Sequence, residues 1–173
     1  MASREDLYEE AVRTHGSALE RLARAYEAEA ESCRDLLQEI HLALWRSFER
    51  FDARCSLRTW IYRVAHNVAA SHVANDRRAK SHQLVSIETI DVPDAHEDAE
   101  AIANRSMALQ RLLELIYELK PLDRQLVLLF LEGVDAAGIA EVTGLSPGNV
   151  ATKVHRIRNV LARRFQEGGS HGQ

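Results

Sequence analysis

Apolar residues recur every three to four positions along most of this chain, which is the spacing of one face of an α-helix. Alternation at every second position, which would indicate strands, is scarce, and the 173 residues include only 8 Gly and 3 Pro. We therefore expect an all-α fold. The 46% hydrophobic content is sufficient for ordinary packed cores.

Three helices are predicted in the N-terminal half. The first covers about residues 4–28, where Gly16 could interrupt it, and the second covers about residues 32–48. The third begins after Ser56, a suitable N-cap. Its apolar residues follow the helical spacing i, i+4, i+7 and i+11 and should face a core: Leu57, Ile61, Val64 and Val68.

Residues 81–104 lack this periodicity. They include Pro93 and six acidic residues without Lys or Arg, a composition typical of a linker. We therefore predict one small helical domain at 1–80, a flexible acidic linker at 81–104, a second small helical domain at 105–167 and a tail at 168–173. Fully extended at ~3.3–3.6 Å per residue, the linker could span at most about 80 Å.

The second domain carries the outline of a helix-turn-helix. After a helix that ends before Pro121 and another closed by Gly133, a short helix should run from Asp135 to Gly144. The last helix opens with Ser146 as N-cap and Pro147 at its first position, where proline costs no hydrogen bond. Two helices joined by such a tight turn are typical of DNA-binding proteins.

Charge is distributed in blocks, although the formal net charge is only -4. Residues 53–82 hold six basic residues and one acidic residue, and residues 150–173 hold five and one. One block could be a solvated helix face, but two blocks separated by an acidic stretch favour two contacts with a polyanion.

In the last helix, Val150, Val154, Ile157 and Leu161 share one face and should pack inward. Asn can read adenine, and Lys or Arg can read guanine in a major groove. Later cations are better placed for phosphates. The predicted duplex contacts are Ser146, Asn149, Thr152, Lys153, Arg156, Arg163 and Arg164. The alternative is a solvated amphipathic helix whose cations favour the helix dipole.

Several classes of protein are disfavoured. The longest apolar run, residues 126–131, is far shorter than the roughly 20 residues of a membrane span, and the acidic N-terminus lacks a signal-peptide core, so we expect a cytoplasmic location without membrane insertion. Cys33 and Cys55 have no CxxC partner, which favours reduced thiols over a zinc site or disulfide. The absence of a clustered acid/base or metal pattern disfavours an enzyme, and we expect no cofactor.

Two segments resemble conserved domains of the sigma-70 family of bacterial RNA polymerase subunits. "DLLQEIHLALWRSFERFD" (35–52) with "LRTWIYRVAHNVAASHVANDRR" (57–78) resembles the second domain of that family. "PLDRQLVLLFLEGVDAAGIAEVTGLSPGNVATKVHRIRNVL" (121–161) is similar to the fourth. Their order and the small size of the chain look like an extracytoplasmic-function (ECF) sigma factor.

The resemblance implies partners and sites. Core RNA polymerase would be contacted through its β′ clamp helices, by Asp35, Gln38 and Glu39, and through its β flap. Promoter DNA would be read at the minus-thirty-five duplex by the last helix and at the melted minus-ten strand by the third. Residues near the minus-ten base pocket would be Phe51, Tyr62, Arg63 and Asn67. Backbone phosphates would be held by Arg77, Arg78 and Lys80.

These residue types suit single-stranded DNA, which needs stacking surfaces, an amide for a base edge and cations along the backbone. We expect Trp60 to lie in the core, the alternative being a wedge against a DNA base, and we expect His66 and His72 to face solvent or the backbone. The implied function is a promoter-specificity subunit, and factors of this type are commonly restrained by an anti-sigma factor. The alternative is a stand-alone helix-turn-helix repressor that never meets polymerase.

Overall fold

The computed structural model describes residues 3–79 and 99–169, with side chains at 3–75 and 103–167. Within these ranges the regular structure is helical and no strand occurs, which confirms the all-α prediction. The helices are α1 (Arg4–Tyr26), α2 (Ala30–Ser47), α3 (Leu57–Ala79), α4 (Ala99–Tyr117), α5 (Pro121–Leu131), α6 (Ala136–Thr143) and α7 (Pro147–Gly169), with a 3₁₀ turn at Phe48–Arg50.

The possible interruption at Gly16 does not occur, and one helix boundary differs from the prediction. α1 continues through Gly16, because an interior glycine costs only about 1 kcal/mol relative to alanine and the flanking turns are packed. α4 already begins at Ala99, inside the range expected to be linker. The residues "AEAIAN" at its start are mostly strong helix formers. Their helix propensity outweighs the acidic composition from which a linker was predicted. The rest of the predicted linker, 81–98, lies outside the described residues.

Helices α1, α2 and α3 form an N-terminal module around a shared core. The predicted stripe of α3 contacts this core, with Ile61 fully buried and Leu57, Val64 and Val68 partly buried. Each fully buried aliphatic side chain contributes about 1.5–3 kcal/mol by leaving water. The buried leucine and isoleucine side chains of this core are Leu19, Leu22, Leu36, Ile40, Leu44 and Ile61.

Helices α4 to α7 form a C-terminal module in which α7 packs on α4, α5 and α6. The stripe of Val150, Val154, Ile157 and Leu161 is buried, as predicted. Local chemistry sets the turn: the Asp135 carboxylate accepts from the Gly138 N–H at 2.7 Å to start α6. Gly144 ends α6 with a φ of 76°, a left-handed conformation that favours glycine.

One histidine, His66, was wrongly predicted to face solvent or the backbone. His66 is 2% exposed, and its Nδ1 lies 3.1 Å from the Tyr26 hydroxyl oxygen, because its position on α3 faces α1. Burial lowers the pKa of His66 to about 3, so the ring is neutral. His72 lies between two carboxylates, 3.1 Å from Glu39 and 3.5 Å from Glu27.

The two modules also contact each other: α3 packs against α5 and α6, and α1 packs against α4. No helix in the described part of the chain is both long and apolar enough to cross a bilayer.

Candidate nucleic-acid interface

The outer face of α7 is available to a ligand. Asn149 and Arg156 are exposed and Lys153 is half-buried, at spacings of four and three residues that place them on one side of the helix. Ser146 begins the helix by accepting a hydrogen bond from the Asn149 N–H at 3.3 Å. Thr152 is also exposed. The N-terminal half of α7 therefore presents polar and cationic groups opposite its buried stripe.

The C-terminal half of α7 is more varied than the sequence indicated. Arg163 is exposed, but the Arg164 guanidinium pairs with Glu118 at 3.2 Å, across to the end of α4. Arg158, which the sequence analysis did not select, lies over the Phe130 ring with its guanidinium carbon 5.0 Å from the ring centroid. Only some of the cations of α7 are therefore directed away from the protein.

The loop between the 3₁₀ turn and α3 has a constrained backbone. Ala53 has a φ of 57°, a left-handed conformation that costs a non-glycine residue roughly 1–2 kcal/mol. On either side of it, Asp52 and Arg54 form an ion pair at 2.9 Å, and the Arg54 N–H donates to the Asp52 carboxylate at 3.2 Å. Strained positions of this kind concentrate at functional sites.

Aromatic residues support this loop. Phe51 packs edge-on against Trp60 with ring centroids 5.5 Å apart. The Trp60 indole N–H donates to the Ser47 hydroxyl at 2.9 Å, and the ring packs partly buried against the core, so the expectation that it lies there is confirmed in part. A cavity of about 420 Å³ opens beside it, lined by Asp52, Arg54, Cys55, Trp60, Arg63 and Glu141. Arg54 and Trp60 are lining residues that the sequence analysis did not select; we call this cavity the loop groove.

The four residues expected at the minus-ten pocket do not share one surface. Asn67 is exposed and Phe51 is half-buried at the loop. Arg63 donates to the Glu141 carbonyl oxygen at 2.7 Å, so its guanidinium contacts the C-terminal module. Tyr62 is 2% exposed because its position on α3 faces α1, and its ring lies beside His15 and Arg58. Burial raises the pKa of the Tyr62 hydroxyl. Its ring is closed to a base in this arrangement.

The expected phosphate contacts Arg77 and Arg78 lie beyond the described side chains, and Lys80 lies outside the described residues. The expected polymerase contacts are all on the surface of α2: Asp35, Gln38 and Glu39 are exposed, opposite the buried stripe of that helix. Leu42 is 48% exposed and lies on the same side of α2, one turn further along. The sequence analysis did not select it, because a leucine in a helical pattern is normally assigned to the core.

Comparison with known proteins identifies both modules. Residues 11–79 match the family model for Sigma-70 region 2, and residues 109–161 match that for Sigma-70, region 4. The ECF RNA polymerase sigma factor SigC of Mycobacterium tuberculosis is 31% identical over 139 residues, covering 79% of this chain and 72% of that protein. The ECF RNA polymerase sigma-E factor of Haemophilus influenzae is 28% identical over 139 residues, covering 76% and 74%.

Two solved structures share the fold. The sigma factor RpoE from Bartonella quintana, crystallised with the anti-sigma factor NepR, superposes with a TM-score of 0.71 at 17% identity, covering 92% of this chain and 96% of that one. CnrH in complex with the cytosolic domain of CnrY gives a TM-score of 0.65 at 20% identity, covering 92% and 88%.

Proposed function

The chain belongs to the sigma-70 family, as an RNA polymerase sigma factor of the ECF type, and from this premise we propose how its surfaces divide the work of promoter recognition. A promoter-specificity subunit binds core polymerase and promoter DNA, and both modules needed for this role are present in one chain. The observation that carries the proposal is that each module keeps polar or cationic residues of its own on the surface: Asn67 on α3, and Asn149 and Arg156 on α7.

The C-terminal module is proposed to read the minus-thirty-five duplex through α7. Asn149, Lys153 and Arg156 would reach base edges in the major groove, with Ser146 and Thr152 beside them at the helix start. Arg163 would contact phosphate. Arg164 is a weaker candidate in this arrangement, since it would first have to leave Glu118.

The N-terminal module is proposed to hold the melted minus-ten strand along α3 and the loop groove. Asn67 offers an amide to a base edge, and Phe51 with Trp60 offers aromatic surface. Arg63 would bind backbone phosphate after leaving Glu141. Tyr62 would act as a core residue beneath this surface, and Arg77, Arg78 and Lys80 remain proposed phosphate contacts.

Polymerase is proposed to bind the exposed side of α2. Asp35, Gln38 and Glu39 would meet the β′ clamp helices, with Leu42 adding an apolar contact, while the C-terminal module would meet the β flap. The chain would perform no covalent chemistry and would act in the cytoplasm with polymerase. An anti-sigma factor is a further proposed partner, since RpoE of Bartonella quintana is bound to one in its structure.

Reconstitution with purified core polymerase tests this function. We expect the chain to co-purify with core polymerase and to direct transcription from discrete start sites on genomic fragments, which core alone does not use. Asp35→Ala with Glu39→Ala should weaken co-purification about tenfold or more, because both carboxylates are removed from the same interface. Duplex binding by the isolated chain without polymerase association would favour a stand-alone repressor instead.

A further inference from the structure

His72 ends the core-facing stripe of α3 with a polar ring. It follows Val68 by four positions and therefore lies on the same side of the helix, one turn further along. There α3 passes α1 and α2, and the His72 side chain is only 17% exposed. A largely covered imidazole needs hydrogen-bond partners, because burying a polar group without one is costly. Those partners come from the two neighbouring helices.

Each ring nitrogen of His72 faces a carboxylate. Nδ1 lies 3.1 Å from Oε2 of Glu39 on α2, and Nε2 lies 3.5 Å from Oε1 of Glu27, the C-cap residue of α1. An ionised carboxylate accepts hydrogen bonds but cannot donate them, so Nδ1 is the donor to Glu39. Both the protonated ring and the neutral ring with its proton on Nδ1 can make this bond. Contacts on opposite sides restrict the rotation of the ring.

Glu39 is held by His72 without being covered. The Glu39 side chain is 55% exposed, although its carboxylate accepts the bond from Nδ1. An ionised carboxylate has two oxygens and can accept several hydrogen bonds, so the bond to His72 leaves capacity for a partner outside the chain. The position of this carboxylate on the surface of α2 is therefore fixed before a partner arrives.

This restraint distinguishes Glu39 from the other two proposed polymerase contacts. Asp35 and Gln38 are exposed, and within the described part of the chain neither side chain makes a hydrogen bond. Ordering a free side chain at an interface weakens binding by roughly two- to twelvefold. A carboxylate that is already ordered avoids this loss, which is the benefit of preorganisation.

We propose that His72 is a positioning residue for polymerase binding: it holds the Glu39 carboxylate where a cationic side chain of core polymerase pairs with it. The inference rests on the proposed function, because that function assigns Glu39 to the polymerase interface. His72 acts through Glu39, and Glu27 fixes the far side of its ring. A helix assigned to DNA therefore supports the surface assigned to polymerase.

Two amide substitutions separate the roles of the ring nitrogens. In His72→Asn the side-chain nitrogen stands at the same number of bonds from Cβ as Nδ1, so it can still donate to Glu39. In His72→Gln it stands at the same number of bonds from Cβ as Nε2 and is directed towards Glu27 instead. We expect His72→Asn to bind purified core polymerase within about 1.5-fold of the wild type, and His72→Gln to bind about threefold more weakly.

A purely structural role of His72 predicts the opposite order. Gln is a better helix former than Asn, so damage to α3 alone would affect His72→Asn more than His72→Gln. Urea unfolding of each full-length chain measures this damage separately from the affinity. His72→Phe keeps a ring without a donor, and it should also bind core polymerase about threefold more weakly.

A double-mutant cycle tests whether the effect of His72 passes through Glu39. Glu39→Ala alone should weaken binding to core polymerase about fivefold, since it removes the proposed contact. Adding His72→Gln to Glu39→Ala should cause no further loss beyond about 1.5-fold, because no carboxylate is left to position. Fluorescence anisotropy of the labelled full-length chains, titrated with one preparation of core polymerase, measures all of these affinities.

The positioning role is overturned if His72→Asn and His72→Gln bind core polymerase equally well, or if His72→Gln causes the same loss with and without Glu39. A loss from Glu39→Ala together with no effect of either amide variant refutes the positioning role and leaves the polymerase contact standing. Unchanged binding by Glu39→Ala refutes that contact and the positioning role together.

Discussion

Single residues of α3 are divided between the core, the module boundary and the surface, and this division decides which of them can meet DNA. Tyr62 and His66 face α1, Arg63 contacts Glu141, and Asn67 is exposed. The residue types of α3 could be read from the sequence, but the side of the helix that faces α1 could not, since polar residues occur on all sides of α3. The burial of His66 could not be predicted because it depends on the Tyr26 hydroxyl, 40 positions away.

His66 predicts a pH dependence of stability. Its pKa is about 3 in the folded chain, below the ordinary 6.5, so the unfolded chain takes up a proton as the pH falls through 6.5 and the folded chain does not. The free energy of unfolding should therefore decrease as the pH falls, by roughly 2 kcal/mol from His66 between pH 7 and pH 5. Urea unfolding at the two pH values measures this.

His66→Gln is the matched control, because its amide can still bond to Tyr26 but does not titrate. Burial also lowers the pKa of His15 and of His41, which act in the same direction, so some pH dependence should remain in the variant. Equal slopes in wild type and His66→Gln would show that His66 is not held neutral.

At the scale of the helices, elements set by local chemistry agree with the prediction. Ser146, Pro147 and Gly144 define the turn before α7 through caps that involve only neighbouring residues. The direction of a long side chain is less local: Arg164 pairs with Glu118, 46 positions away. The outline of α7 was therefore predictable, but the set of its unpaired cations among the described residues was not.

α7 predicts a contrast between two kinds of substitution. Lys153→Ala with Arg156→Ala should weaken binding to the minus-thirty-five duplex by about 30-fold or more, since the two base-edge contacts contribute roughly 1–3 kcal/mol each. Arg164→Ala should weaken it by no more than about threefold, because this guanidinium is paired with Glu118. Fluorescence anisotropy with the polymerase holoenzyme measures both, and an equal or larger loss from Arg164→Ala would contradict the assignment.

At the scale of the whole molecule, the sequence predicted two small helical modules, and both match sigma-70 regions. Their docking was not predicted. The contacts that join them connect residues 74 to 111 positions apart, such as Arg58 with Glu132 and Arg21 with Glu132, and no periodicity or cap marks such pairs. The domain boundaries 1–80 and 105–167 remain predictions, as do the individual contact residues.

In the proposed division of roles, α7 reads duplex DNA, α3 reads single-stranded DNA and α2 binds polymerase. Permanganate, which oxidises unpaired thymines, reports strand opening at a mapped promoter, and nuclease protection reports upstream duplex contact. The most direct measurement applies both probes to two variants, Asn67→Ala and the double variant Lys153→Ala with Arg156→Ala. The affinity of each variant for core polymerase is measured alongside. We expect Asn67→Ala to lower minus-ten thymine reactivity at least about fivefold while leaving upstream protection and core affinity unchanged, and the double variant to lose upstream protection with core affinity unchanged. If the two variants lower the affinity for core polymerase equally, and both DNA signals fall only in proportion to that loss, the proposed division of roles among the helices is contradicted.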